Sequence, residues 1–409
     1  MKVPRVSVRN TPACLMLAMA AFLLAGCPDD SSGKIVPGDD IGLSPLEQLG
    51  KHLFFDSQLS TPPGQACSAC HSPEVGWTGP AAEINAAGSV YPGAVHVRFG
   101  NRKPPASAYA GESPVLYYDE ELATWVGGMF WDGRATGLTL GDPLAEQALG
   151  PFLNPLEQNM PMARLVIKRI AGSSYASLFE EVWGPGSLDF VKDVAASYER
   201  VGRSISAYEH SAEVNPFTSK YDYYLKGEAS LTTQEAWGME VFEGKGNCSA
   251  CHPNQLREGG LPPLFTDFAY DNLGVPKNPQ NPFYQMPRHW NPARAQWVDP
   301  GLGGFLKNAG YAPEVYEPEW GKMKVPTLRN ADRRPSSTFV KAYGHNGFFK
   351  SLKEIVAFYN TRDVASWPEP EVPQNVNEQE VGNLGLSEEE EDAVVAFMQT
   401  LSDGWVPAP

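Results

Sequence analysis

Apolar residues recur at three- and four-residue steps in several stretches of the chain, the period of an amphipathic helix rather than of a strand. Ser44-Pro45-Leu46-Glu47 combines an N-cap, a proline at the first helical position and a capping-box glutamate, and Leu46, Leu49 and Leu53 follow on one face. Thr232 or Thr233 opens a second helix with Ala236, Met239 and Val241–Phe242 apolar. Between them a long amphipathic segment from Val191 to Tyr208 carries Val194, Tyr198, Val201 and Ile205, and closes the first half of the chain. Leu352–Tyr359 and Ser387–Leu401 are further helices, the last with Ser387 as cap and Glu390 three residues on. Nothing alternates with period two for long. The pattern predicts a mainly α protein of two similar domains, 41–210 and 211–409, with long Gly/Pro-rich loops at 72–120 and 253–325.

Composition sharpens this. Hydrophobic residues make up 42% of the 409, enough for packed cores, so wholesale disorder is excluded. Gly 39 and Pro 37 make the chain loop-rich without making it low in complexity. A net charge of −16 opposes any polyanion, so no nucleic-acid partner is expected; a cationic partner, or none that is charged, fits better.

The first residues form a separate unit. Lys2, Arg5 and Arg9 precede an apolar run, Ala13 to Ala25, that is too short to span a bilayer, which reads as an export signal over 1–26. The run ends Leu24-Ala25-Gly26-Cys27 and resembles a bacterial lipobox. The resemblance implies lipidation of Cys27, a tether over 27–40, and a place in the cell envelope at the outer membrane, on its periplasmic or surface side. No later segment is a candidate span, so any membrane attachment would be by lipid alone.

The remaining chemistry lies in a repeat. Cys67-Ser-Ala-Cys70-His71 and Cys248-Ser-Ala-Cys251-His252 are identical in all five positions. Two cysteines three apart can reach the two vinyl groups of one haem edge as thioethers, and the following histidine then lies under the iron as proximal ligand. A disulfide within each pair, or one zinc site built from both, are the alternatives; neither needs a histidine after each pair. Two covalently bound haem c groups are therefore expected.

With these motifs in place, further segments become meaningful: Phe130-Trp131-Asp132-Gly133-Arg134-Ala135, Gln147-Ala-Leu-Gly-Pro151 with Asn154-Pro-Leu-Glu157, Lys324-Val-Pro-Thr-Leu-Arg-Asn330, and His345 through Tyr359-Asn360. Together they resemble the bacterial di-haem cytochrome c peroxidase and MauG superfamily over nearly the whole chain. The resemblance implies a first haem that reacts with hydrogen peroxide, a second that holds oxidising equivalents, and a tryptophan, Trp131, between them. It assigns Glu157 as the distal acid–base group, with Gln147 and Pro151 beside it. It also offers two ligands for the second iron. Where peroxidases fed by small cytochromes carry a methionine fourteen residues after a histidine, and MauG a tyrosine, this chain has Tyr359 after His345. A core tyrosine with Met323 on the iron is the alternative. A phenolate stabilises ferric and higher states, whereas a thioether raises the potential.

The chain also departs from the pattern. Thr136–Gln147 is longer than expected. His96 stands near the place of a removable distal histidine and is read as a surface residue. The family supports calcium from an Asn just before a proline, and Asn101 is displaced from that position, which leaves calcium near Asn101 open. Gly246 occupies the place of MauG's exit tryptophan, so oxidation would leave elsewhere, with Trp237 and Trp405 as candidates. His52, His210 and His289 are read as structural.

The leading expectation is a MauG-like di-haem peroxidase that oxidises Trp or Tyr of a partner protein. MbnH and the surface-associated peroxidases of methanotrophs, lipoprotein members of the superfamily, point to a copper-binding partner. The second is a cytochrome-c peroxidase that draws electrons from a small cationic cytochrome, which suits the net charge. The third, a plain di-haem electron carrier, would have no use for Glu157 and Gln147.

Overall fold

The computed structural model describes residues 42–406. Twelve helices carry most of its regular structure: α1 Pro45–Phe55, α2 Ala82–Ala86, α3 Pro143–Leu153, α4 Ala163–Ala171, α5 Ala176–Trp183, α6 Val194–His210, α7 Lys220–Leu225, α8 Thr233–Glu243, α9 Gly301–Asn308, α10 Pro313–Tyr316, α11 Leu352–Thr361 and α12 Glu388–Gln399. Four short strands, β1 Tyr117–Asp119, β2 Thr124–Val126, β3 Tyr270–Asp271 and β4 Met323–Lys324, pair antiparallel as β1–β2 and β3–β4. The protein is thus mostly helical. No described helix is long and apolar enough to cross a membrane.

Helix starts follow the expected chemistry. Ser44, Thr232 and Ser387 each accept from the backbone N–H three residues on, and Glu47, Glu235 and Glu390 reach back to the cap N–H. The long middle helix begins three residues later than its apolar pattern predicts. Asp193 caps it by accepting from Ala196 N, and Val191 stays outside and exposed. Asp142 with Pro143 at the first position makes the same kind of start for α3, where its Oδ1 accepts from Leu144 N at 2.9 Å and Ala145 N at 3.0 Å.

Two large hydrophobic clusters form most of the core. Leu49, Leu53, Phe54, Phe152, Val201 and Ile205 belong to the first; Val241, Phe242, Phe265, Val394 and Phe397 belong to the second. The same device builds both. The helix before each CxxCH crosses the last helix of its half, α1 on α6 and α8 on α12, with a glycine at the crossing. A Cβ on Gly50 would fall inside the radius of Ser204 O, and one on Gly238 inside that of Ala393 O. Gly238→Ala should therefore cost about 1–3 kcal/mol in overpacking, read from urea unfolding. An unchanged midpoint would mean the helices separate freely.

Polar ties run between the halves. Arg102 pairs with Asp299 at 2.6 Å, Lys341 Nζ donates to Val75 O at 2.9 Å, and Tyr109 Oη donates to Asp403 Oδ2 at 2.7 Å. The expected lipidated Cys27, the tether after it and the signal before it lie outside the described residues.

Candidate active site

Each CxxCH folds as a single 3-10 turn, Cys67–Ala69 and Cys248–Ala250, so both thiols and the histidine issue from one place. His71 N donates to Cys67 O at 3.0 Å and His252 N to Cys248 O at 2.9 Å. The imidazoles are oriented alike. Nδ1 of His71 faces Trp77 O at 3.3 Å and Nδ1 of His252 faces Phe265 O at 2.7 Å, which directs Nε2 away from those carbonyls. Burial pulls both imidazoles down to about 4, so they stay neutral, the form that ligates a metal.

The first cavity is lined by Cys67, Cys70 and His71 and, from other elements, by Gln147, Pro151 and Glu157. One turn of α3 supplies Gln147 and Pro151. The turn that follows presents Glu157: its N–H donates to Asn154 O at 3.0 Å, and its carbonyl accepts from Ala94 N at 2.7 Å. Burial raises the Glu157 carboxyl above its ordinary range, and nearby Arg134 partly offsets this. Arg134 lies 3.6 Å over the Phe130 ring and lines the same cavity. The extra length after Thr136 is a turn gathered on one carboxylate, since Glu146 accepts from Gly137, Thr139 and Leu140 N–H at 2.7–2.9 Å.

The second cavity is lined by Cys248, Cys251 and His252, and both Tyr359 of α11 and Met323 of β4 face it. Burial, then the Cys248 and Cys251 thiols, push the Tyr359 phenol up. Trp131 lines both cavities, and its Nε1 donates to Lys103 O at 2.8 Å.

Both cavities suit a haem. Three lysines line the second one, Lys341 buried and Lys103 and Lys324 half-buried, yet their Nζ atoms donate to backbone carbonyls, and in Lys103 also to Thr78 Oγ1; among the described residues no carboxylate forms an ion pair with them, and Asp267 and Asp332 act on Lys324 and Lys341 only from farther away. Burial lowers Lys103 to about 8 and Lys324 to about 7. The carboxylates that a haem carries are what such cations lack, and four unpaired thiols with two neutral imidazoles complete the donor set.

Sequence reasoning passed over these lysines, and also over Glu209. It lies one turn beyond Ile205 on the buried stripe of α6, the signal that could have found it. Its carboxyl lines the first cavity, and its Oε2 has no hydrogen-bond partner among the described residues. Burial raises it to about 8 from an ordinary 4.5. The fold therefore prefers the protonated acid, with its contribution intact below about pH 4.5 and lost as pH rises through 8. Glu209→Gln should flatten that part of the stability–pH curve; an unchanged slope would mean that Glu209 ionises freely.

Four other histidines line neither cavity. His96 is exposed on a loop, a surface histidine. His52 stacks on Tyr175, His210 Nδ1 faces Ser206 O, and His289 lies beside Trp290. Asn101 lines the first cavity, but among the described residues no three His, Cys, Asp or Glu side chains converge as a metal site. A Cβ on Gly246 would lie 2.8 Å from Val241 O and 3.3 Å from Cys248 Sγ, which leaves no room there for an indole. Trp237 is 39% exposed on α8, and Trp405 packs 5.3 Å from Tyr223.

Comparison with known proteins agrees with this arrangement. The model of the di-haem cytochrome c peroxidase family matches residues 44–230. The chain is 34% identical to the methylamine utilization protein MauG of Paracoccus denitrificans, over 96% of this chain and 95% of that one. It is 27% identical to the cytochrome-c peroxidase IdrP1 of Denitromonas iodatirespirans, over 95% and 92%. Among solved structures, the diheme peroxidase BthA of Burkholderia thailandensis superposes with a TM-score of 0.73 at 29% identity, covering 88% of this chain and 86% of that one. A MauG-like protein associated with microbial copper homeostasis shares the fold, with a TM-score of 0.61 at 23% identity over 90% and 92%. The chain belongs to the di-haem cytochrome c peroxidase and MauG family, haem oxidoreductases that act with hydrogen peroxide.

Proposed function

We propose that this protein is a MauG-like di-haem enzyme that uses hydrogen peroxide to oxidise a Trp or Tyr side chain of a partner protein. The observation that carries the reading is Trp131 in the wall of both cavities, with Tyr359 facing the second. Bound through Cys67, Cys70 and His71 and through Cys248, Cys251 and His252, the two haems supply the redox chemistry of peroxide reduction. The chain's own part begins at Glu157, whose half-buried carboxyl moves a proton between the two peroxide oxygens as their bond breaks. Gln147 and Pro151 shape the pocket around it. Trp131 relays electrons between the cavities, since an indole can be oxidised transiently. Tyr359, which lines the second cavity, would offer its phenol oxygen to the iron held there, and such a ligand would favour the oxidised states.

The same reading places the protein outside the cytoplasm, with Cys27 as a lipid anchor in the cell envelope and a copper-binding protein as one candidate partner. Calcium near Asn101 would be an additional cofactor. Met323 in the second cavity and the relatives named cytochrome-c peroxidase favour a second reading, turnover with a small cytochrome as donor. Steady-state assay separates the two. Under the proposal, peroxide consumption with reduced small cytochrome c stays slow; fast, sustained turnover without prior reduction would establish the second reading.

A further inference from the structure

We propose that electrons from the partner enter along a row of aromatic side chains, Tyr118, Trp125 and Tyr270, that crosses the short strands from an exposed hairpin to the turn holding Trp131. This rests on the reading above and names its point of contact with the partner.

The strands set the row. Tyr118 on β1 is the register partner of Trp125 on β2, and Tyr270 on β3 is the partner of Lys324 on β4. An antiparallel bridge between Val126 and Ala269 joins the two pairs, and one further step of that register brings Trp125 opposite Tyr270. Directly opposite residues share a face, with Cβ atoms about 4.5–5.5 Å apart. Trp125 and Tyr270 accordingly belong to one buried cluster with Leu302 and Leu306. The Trp125 ring lies 5.6 Å from that of Tyr118 and 5.7 Å from that of Tyr311, centre to centre.

Exposure rises along the row, from 3% at Tyr270 and 7% at Trp125 to 39% at both Tyr118 and Tyr311. The inner end reaches the turn that holds Trp131 at two places. Lys324 N donates to Trp131 O at 2.9 Å, and a Cβ on Gly133, two residues after Trp131, would lie 2.5 Å from Tyr270 Oη. Only a glycine lets that phenol touch the Trp131 turn. The alternative exit before the second CxxCH is closed at Gly246.

The chemistry assigns different tasks to the rings. Tyr270 donates its phenolic proton to Gly127 O at 2.6 Å, a carbonyl that cannot take it, and the Lys324 ammonium lies 5.3 Å from the ring. Tyr270 is therefore a bridge, not a resting place for a positive hole. Trp125 is the resting place, because an indole radical cation can keep its N–H proton. One hydrogen peroxide takes up two electrons and two protons to give two waters. The two electrons pass singly along the row, and the partner's aromatic side chain, oxidised by two electrons in all, releases the two protons.

The test uses full-chain holoprotein treated with hydrogen peroxide without partner, so that the oxidation marks the route itself. Peptide mapping by mass spectrometry should find oxygen addition or cross-linking at Trp125, Tyr118 and Tyr311. In Trp125→Phe, which keeps an aromatic ring in the cluster, marks at Tyr118 and Tyr311 should be lost and the oxidised state should persist longer, with its formation rate unchanged. Tyr118→Phe with Tyr311→Phe should retain the mark at Trp125. If the oxidised state forms but Trp125→Phe changes neither its lifetime nor the marks, or if they fall on Trp237 or Trp405, the route is wrong. If no such state forms in either protein, the reading beneath it falls, and the route with it.

Discussion

Glu157→Gln should slow the reaction with hydrogen peroxide by about 10²–10⁴-fold, the usual worth of a positioned acid–base group. The amide keeps the shape of the carboxyl and its place in the turn after Asn154, but it cannot pass a proton between the peroxide oxygens. The effect rests on where the group sits. Glu157 lines the cavity that holds Cys67, Cys70 and His71, and burial keeps its proton on to higher pH than in an exposed glutamate. Stopped-flow mixing of the diferric protein with peroxide gives the rate, and an unaltered Soret band shows that both haems are in place. A variant that reacts at the full rate would leave Glu157 as a half-buried loop acid only.

Tyr359→Met should raise the potential of the second haem by on the order of a few hundred millivolts, within the roughly 0.8 V that axial ligands span. The half-buried phenol resists ionisation by itself, since desolvation and the neighbouring thiols disfavour the anion. A ferric iron would supply the compensating charge, and a thioether would remove the preference for the oxidised state. Met323 lines the same cavity and provides the control. Spectroelectrochemical titration of Tyr359→Met and Met323→Leu should show a shift in the first alone; a shift only in the second would put the methionine on the iron.

Much of this was legible in the chain. The two CxxCH motifs, the capping boxes at Ser44, Thr232 and Ser387, and the apolar stripes of α1, α6 and α8 are local signals, and the structure repeats them at nearly the same residues. Helices α4 and α5 were not read. Asp142-Pro143 is a local start signal for α3, hidden in sequence by the unexpected length of Thr136–Gln147. The site was legible only through motif order: nothing local brings Glu157 to Cys67, or Trp131 to both cavities. The lysines at 103, 324 and 341 look in sequence like ordinary surface charges, and only tertiary packing turns them toward the second cavity and lowers their affinity for a proton. The aromatic row is more hidden still, because its register joins strands of two or three residues separated by more than a hundred positions.

Whether the two cavities share an oxidation through Trp131 is tested directly by adding one equivalent of hydrogen peroxide to the diferric holoprotein and recording the near-infrared spectrum. A long-lived near-infrared band is expected in the native protein, and Trp131→Phe should abolish it while both Soret absorptions remain. No band in the native protein, or the same band in Trp131→Phe, would contradict such sharing.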